Sequence, residues 1–301
     1  MTNLINISVD VDTLEFYANF APNGIVELDP IMSWTMPKML DLFDELGVKA
    51  TFFVIGSSVE AHSSFWRKAA ASGHEIASHS MTHPQAFHLQ TYNDKKNELR
   101  ESKHRIEDST GYPVKGFRAP AYNIDPDVLN YLVYEGYTYD SSLFPGWFVP
   151  GSKLLLRLLN RDYKPVPSSG LHWQHRGMKS DIHTWHLEAG ELLEFPLPGT
   201  LFGKPFIGTI HLNTSMAFFY SELKWLLKAK RFFTYELHPI EVMERQICND
   251  IPWVARIPGV GKKESPWSFL RERLKALKAS GKIVLLKDME AYGKDGTYSR
   301  L

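Results

Sequence analysis

Ile5, Ile7, Val9 and Val11 occupy every second position of "NLINISVDVDT" near the start of the chain. β-Branched residues at a period of two predict a strand. The same period places Asp10 and Asp12 together on the face opposite those four. Ionised carboxylates are almost never buried without a partner, so this pair asks for a task.

The pattern then changes to a helical one. Met36, Met39, Leu40, Phe43 and Leu46 recur at three- and four-residue spacing in "SWTMPKMLDLFDELGV", and Gly47 is a plausible stop. "KATFFVIG" predicts a buried strand, "SFWRKAAASG" a helix and "HEIASH" a short strand. "YNDKKNELRESKHRIEDSTG" predicts a polar helix, "VKGFRAP" a strand, and "DPDVLNYLVYEGY" a helix with Pro126 near its first turn. "YTYDSS" follows as a strand. Strands alternating with helices predict βα units around a parallel sheet, an α/β fold. The alternation breaks near Ser142. Residues 143–191 carry Pro145, Pro150, Pro165 and Pro167 and read as an insertion with irregular parts. "ELLEFPL", "RFFTYELHP" and "KIVLLKD" resume as strands, with "TSMAFFYSELKWLLKAK" and "SPWSFLRERLKALKASG" as helices. No repeat or linker divides the chain, so one domain over residues 1–301 is expected, with the insertion at about 143–191.

Composition narrows the class. The 301 residues are 44% hydrophobic and 23% charged, which suits a globular protein with a large core. Lys+Arg and Asp+Glu are both 34, which argues against a nucleic-acid partner. The lone cysteine, Cys248, excludes an intrachain disulfide and fits a reducing compartment. The start "MTNLINISVDVD" has neither the basic residues nor the apolar core of a secretory leader. No run approaches the 18 apolar residues of a membrane span. The expected location is cytoplasmic.

Polar residues stand at most of the expected strand ends: Asp10 and Asp12, His79 and His83, Arg118, Asp140 and Ser141, and His238. In parallel βα barrels the active site lies at the C-terminal ends of the strands, so these positions would converge. Taken alone, the two histidines of "HSMTH" read as an exposed loop. With Asp12 they make a three-ligand set that leaves positions open for water and substrate. Asp10 beside such a metal would serve as a base, because a metal lowers the pKa of water to about 7. Arg118 is either a surface or structural ion-pair residue or the group that holds Asp10 in position and charged. His238, before Pro239, is either a turn histidine or a general acid on the far side of the substrate.

These segments, in this order, resemble the polysaccharide deacetylases (carbohydrate esterase family four, the NodB homology domain). The resemblance runs through "SVDVDT", "LFDELGVKATFFVIG", "GHEIASHSMTHP", "GFRAPAYNID", "YTYDSSLFP", "LEFPL" and "LHP", and omits roughly residues 145–190. It implies a distorted, incomplete (β/α) barrel. It implies that Asp10 is the catalytic base, Asp12, His79 and His83 the metal ligands, Arg118 the residue that orients the base, and His238 the acid. The implied activity is metal-dependent removal of an N-acyl group, N-acetyl above all, from an amino sugar or saccharide. One divalent ion is implied; the donor set suits zinc and accepts cobalt, nickel or other divalent ions. Two departures stand out. The commonest family form has adjacent aspartates, whereas Val11 separates the pair here. Ala121 is inserted before Tyr122 in "RAPAY", so the amide that binds the oxyanion belongs to Ala121 or Tyr122. Two alternatives remain: an amidase of the same fold acting on a non-sugar amide or cyclic ureide, and an inactive sugar-binding module.

The insertion adds weaker signals. His172, His175, His183 and His186 form two HxxH pairs that could hold a second metal. The preferred reading is a hairpin or loop lining the cleft, with Trp173 and Trp185 stacking on sugar. "SKLLLRLLNR", with Lys153, Arg157 and Arg161 at four-residue spacing, reads as packed helix or as peripheral membrane contact. A cytoplasmic enzyme would meet a nucleotide- or lipid-linked sugar, which points to synthesis of cell-surface polysaccharide or glycolipid.

Overall fold

The computed structural model describes residues 2–20, 29–84, 87–144, 180–200, 204–251, 254 and 265–289. The first strand, β1 (Leu4–Val11), is buried on both faces. Ile5, Ile7, Val9 and Val11 join the main core, while Asn6, Ser8 and Asp10 are equally buried. The polar face expected from the alternation is turned into the protein interior and not to water.

The parallel strands follow as the alternation predicts: β2 (Thr51–Val54), β3 (Glu75–Ser78), β4 (Gly116–Phe117) and β5 (Tyr139–Asp140). Next come β6 (His183–Leu187), β7 (Gly190–Glu194), β8 (Phe232–Leu237) and β9 (Lys282–Ile283). The described sheet runs β6-β7-β5-β4-β3-β2-β1-β8, with β9 beside the start of β1, and it curls into an incomplete barrel. All pairs are parallel except the β6–β7 hairpin. Asp140, Glu194 and His183 lie in one row across β5, β7 and β6. The chain thus leaves the sheet and re-enters it at the same end.

Helices start and stop where local chemistry allows. α1 (Met36–Leu46) ends at Gly47, whose φ of 58° is left-handed. It begins after a π turn over Ile31–Thr35, so the expected helix is divided at its N-terminus. α2 (Gly56–Val59) and α3 (Ser63–Ala71) link β2 to β3. α4 (Tyr92–Thr110) is capped by the Thr91 side chain, and α5 (Pro126–Tyr134) by Asp125, with Pro126 in its first turn as expected. The helices Met216–Ala229 and Pro266–Ser280 complete the outer layer.

The interior has two storeys. Phe53, Ala77, Tyr139, Phe195, Phe232, Val284, Leu286 and Met289 form an apolar plug separate from the main core. A side chain on Gly116 would put its Cβ 1.8 Å from the Tyr139 ring, so only glycine leaves room for that part of the plug. "KIVLLKD" does not continue as a strand beyond Ile283. Asn6 Nδ2 donates to Val284 O, the Leu286 amide donates to Thr51 Oγ1, and the Lys287 amide donates to Glu75. Those side chains capture the backbone and turn it across the base of the sheet as the short 3-10 helix Leu286–Met289. Among the described residues, no helix is long and apolar enough to cross a membrane. The stretch 152–161, with Lys153, Arg157 and Arg161, lies outside the described residues, as do His172, Trp173 and His175.

Candidate active site

Above the plug, the C-terminal ends of β1, β3, β4 and β8 bring polar side chains together. Asp10 ends β1 and Asp12 follows it; both are buried. His79 and His83 flank a tight loop after β3, in which Ser80 and His83 have φ of 66° and 55°. Left-handed backbone is unfavourable for residues other than glycine and needs support. Glu98 of α4 supplies it: its carboxylate accepts from the amides of Met81 and Thr82 at 2.8 Å each and from Thr82 Oγ1 at 2.5 Å. The imidazoles of His79 and His83 converge with centroids 4.9 Å apart. Their Nε2 atoms stand 3.5 and 3.4 Å from Asp12 Oδ1.

This trio suits a divalent cation. His79 Nδ1 donates to Arg118 O at 2.7 Å, which leaves Nε2 as a lone-pair donor. Burial pushes His79 down to about 4 and, with His79 beside it, His83 well below its ordinary value, so both rings are neutral at pH 7. Asp12 Oδ1 is buried with no hydrogen-bond partner. Burial raises the Asp12 carboxyl to about 7 against the pull of His238. A buried unsatisfied oxygen facing two neutral nitrogens is what a cation would satisfy. Glu98→Ala removes the loop's support. It is expected to lower stability by about 1–3 kcal/mol, read by urea unfolding. Zinc affinity should fall about 10–100-fold, as for other residues that orient ligands.

Asp10 has a different environment. Arg118, fully buried, donates from Nη1 to Asp10 Oδ1 at 2.6 Å and to Ser8 Oγ at 3.0 Å. Its Nε and Nη2 donate to the carbonyl and hydroxyl of Ser141, each at 2.9 Å. The guanidinium lies 4.1 Å from the centre of the Phe53 ring, at the top of the plug. Burial raises the Asp10 carboxyl, but Arg118, with His79 and His238 behind it, outweighs burial and holds Asp10 below its ordinary 3.8.

His238 follows β8. Its Nδ1 contacts Glu241 Oε1 at 3.2 Å, and its Nε2 lies 3.5 Å from Glu236 Oε1 and 3.9 Å from Asp12 Oδ2. Burial disfavours its cation, yet the hydrogen bond to Glu241 and the charges of Glu236, Glu241 and Asp12 raise it well above 6.5. Asp10 and His238 are thus poised in opposite senses, one ionised and accepting, the other protonated and donating.

Ala121 and Tyr122 both adopt left-handed backbone, with φ of 50° and 59°. The Tyr122 amide donates to Ala119 O at 2.9 Å, closing the turn. Among the described residues the Ala121 amide makes no such bond, which favours Ala121 over Tyr122 as a donor to substrate. The Tyr122 hydroxyl donates to Glu236 Oε1 at 2.5 Å and its ring stacks on Phe144. Trp185, on β6, is half-buried against the main core and donates its indole N–H to Glu194 at 3.0 Å. His183 Nδ1 contacts Asp181 O and the exposed His186 pairs with Glu191, and neither joins a metal-type cluster among the described residues.

Glu98, Ser8, Glu236 and Glu241 were not evident as site residues from sequence. Two of them leave a signal: Glu236 interrupts the apolar run "FFTYEL", and Glu241 follows His238 by three positions.

Residues 27–139 match the family described as polysaccharide deacetylase. Over those residues the chain is similar to that family. The family match contains His79, His83 and Arg118, whereas Asp10, Asp12 and His238 lie outside it. A peptidoglycan deacetylase of Helicobacter pylori is 30% identical over 115 residues, 38% of this chain and 39% of the relative. A chitooligosaccharide deacetylase of Rhizobium leguminosarum bv. trifolii is 49% identical over 47 residues, 16% of this chain and 22% of the relative. The matched stretches thus span well under half the length of these curated relatives. A crystal structure described as a putative polysaccharide deacetylase from Mycobacterium smegmatis superposes with a TM-score of 0.67 at 18% identity, covering 98% of this chain and 91% of that one. That likeness is one of fold.

Proposed function

We propose that this chain is a metal-dependent hydrolase that removes an N-acyl group, N-acetyl above all, from an amino sugar. The opposite poise of Asp10 and His238 beside the Asp12–His79–His83 trio carries this reading. The names of the relatives supply the substrate class.

Asp12, His79 and His83 would hold the cation, with zinc as the first choice for this donor set. When bound, it supplies a Lewis acid that polarises the acyl carbonyl and acidifies water. Asp10 takes the proton of the attacking water. Arg118 fixes the Asp10 carboxylate through Oδ1 and keeps it ionised, a positioning role shared with Ser8 and Ser141. The Ala121 N–H would donate to the oxyanion as the acyl carbon becomes tetrahedral. His238 then gives its Nε2 proton to the amine nitrogen as the C–N bond breaks, while Glu241 holds Nδ1. The products are a carboxylic acid and a free amino sugar.

The test is acid release from a panel of N-acetylated sugars: chitooligosaccharides, nucleotide-linked and lipid-linked. The panel includes the linked forms because cell-surface polysaccharide or glycolipid synthesis is the context we propose. Acetate should appear from at least one class, fall to background when a chelator strips the protein, and return on adding zinc. Turnover of a cyclic ureide with none of the sugars would replace this reading with the amidase. Binding of sugars without turnover of any substrate would replace it with the inactive module.

A further inference from the structure

A second group of potential ligands lies beside the first. One ligand atom from each of Asp10, Glu236 and His238 falls within 4.8 Å of the others. Asp10 and Glu236 are buried and His238 is partly buried. The grouping is not explained by its internal hydrogen bonds. Glu236 Oε1 accepts from Tyr122, but Glu236 Oε2 is buried with no hydrogen-bond partner. Hydrolysis as described above gives Glu236 no task.

His238 is also held as metal-binding histidines are held. Such a ring donates one N–H to a carboxylate and presents its other nitrogen to the cation. Here Glu241 takes Nδ1, and Nε2 faces Glu236. Glu241 is itself fixed by a hydrogen bond from Thr209 Oγ1. A Cβ on Gly208 would come within 2.2 Å of Glu241 Oε2, so glycine at 208 admits the carboxylate to this position.

We infer that Asp10, Glu236 and His238 form a second divalent-cation site, weaker than the first, and that a cation bound there switches hydrolysis off. Two carboxylates and an imidazole are ordinary zinc donors. The site is the weaker one because the Arg118 guanidinium already holds Asp10 Oδ1 and repels a second positive charge. Inhibition rests on the proposed function: a cation on these three residues takes the lone pair of the base and displaces the Nε2 proton of the acid. Cation binding itself does not depend on that reading.

Equilibrium dialysis of the metal-free full chain against zinc, with metal analysis, tests this. Wild type should bind a tight ion and then a weaker one. Glu236→Gln keeps an oxygen for the Tyr122 hydroxyl and should lose the weaker class while retaining the tight one. Glu241→Gln should weaken the second class about 10–100-fold. His83→Ala should lose the tight class and keep the weaker. In parallel, excess zinc should inhibit wild type but not Glu236→Gln, each relative to its own rate at one ion per chain. Retention of the tight class shows that a variant is folded. If Glu236→Gln lost both classes, Glu241→Gln would decide. A single ion per chain at every zinc concentration overturns the inference. So does a second class whose affinity is unchanged in both Glu236→Gln and Glu241→Gln. A tight class that survives His83→Ala overturns the proposed Asp12–His79–His83 site instead, so the two failures are distinguishable.

Discussion

Asp10→Asn is expected to lower kcat by about 10²–10⁴-fold, the usual contribution of a general base, while the chain still binds its tight zinc ion. The amide keeps the volume of the carboxylate, and its oxygen can still accept from Arg118 Nη1 where Oδ1 now lies 2.6 Å away. What is lost is the capacity to take a proton. Asp12→Asn is the contrasting variant. Asp12 Oδ1, not Asp10, faces the Nε2 atoms of His79 and His83. Its replacement should remove tight zinc and turnover together. Metal analysis and acetate release on the two variants therefore separate two carboxylates that Val11 alone divides in sequence. If Asp10→Asn lost zinc while Asp12→Asn kept it, the roles would be reversed.

Arg118→Met is the substitution with the largest expected effect on stability, about 3–5 kcal/mol, because it leaves a buried carboxylate unpaired. Arg118 and Asp10 are each almost wholly inaccessible to water, so solvent screening gives little relief. The loss should be readable by urea unfolding at pH 7. The sign with pH follows from the depressed Asp10 carboxyl. A lowered folded-state pKa gives stability that is fully present above the unfolded value and is lost as pH falls through the folded one. Burial without Arg118 raises the Asp10 carboxyl in the variant, so the gap between wild type and Arg118→Met should narrow as pH falls from that raised value through the depressed wild-type one. A gap that widened in acid would mean that Arg118 stabilises the fold through something other than Asp10. Turnover should fall as well, since the methionine offers no hydrogen bond to orient the base.

How much of this could be read beforehand depended on how local the cause was. The helices were legible because each carries its own start and stop: Thr91 and Gly111 around α4, Asp125 and Pro126 at α5, Gly47 after α1. The convergence of Asp10, Asp12, His79, His83, Arg118 and His238 was legible because parallel strands end at one rim. What escaped depended on long-range pairing. "KIVLLKD" has the composition of a strand, but its amides are captured by Thr51 and Glu75, more than two hundred residues earlier in the chain. Glu98 looked like one more charge on a polar helix, and only the loop folded against it gives it a task. Glu236 sat in an apolar run whose periodicity said strand and nothing about a proton or a cation.

Asp140, Glu194 and His183 share one row of the sheet. The chain therefore departs from the sheet after Asp140 and returns to it at His183 at the same end. Doubling the length of such an excursion costs only about 0.6 kcal/mol in closure entropy. The architecture keeps the polar cluster at the strand ends apart from the sheet edge at which the chain departs and returns.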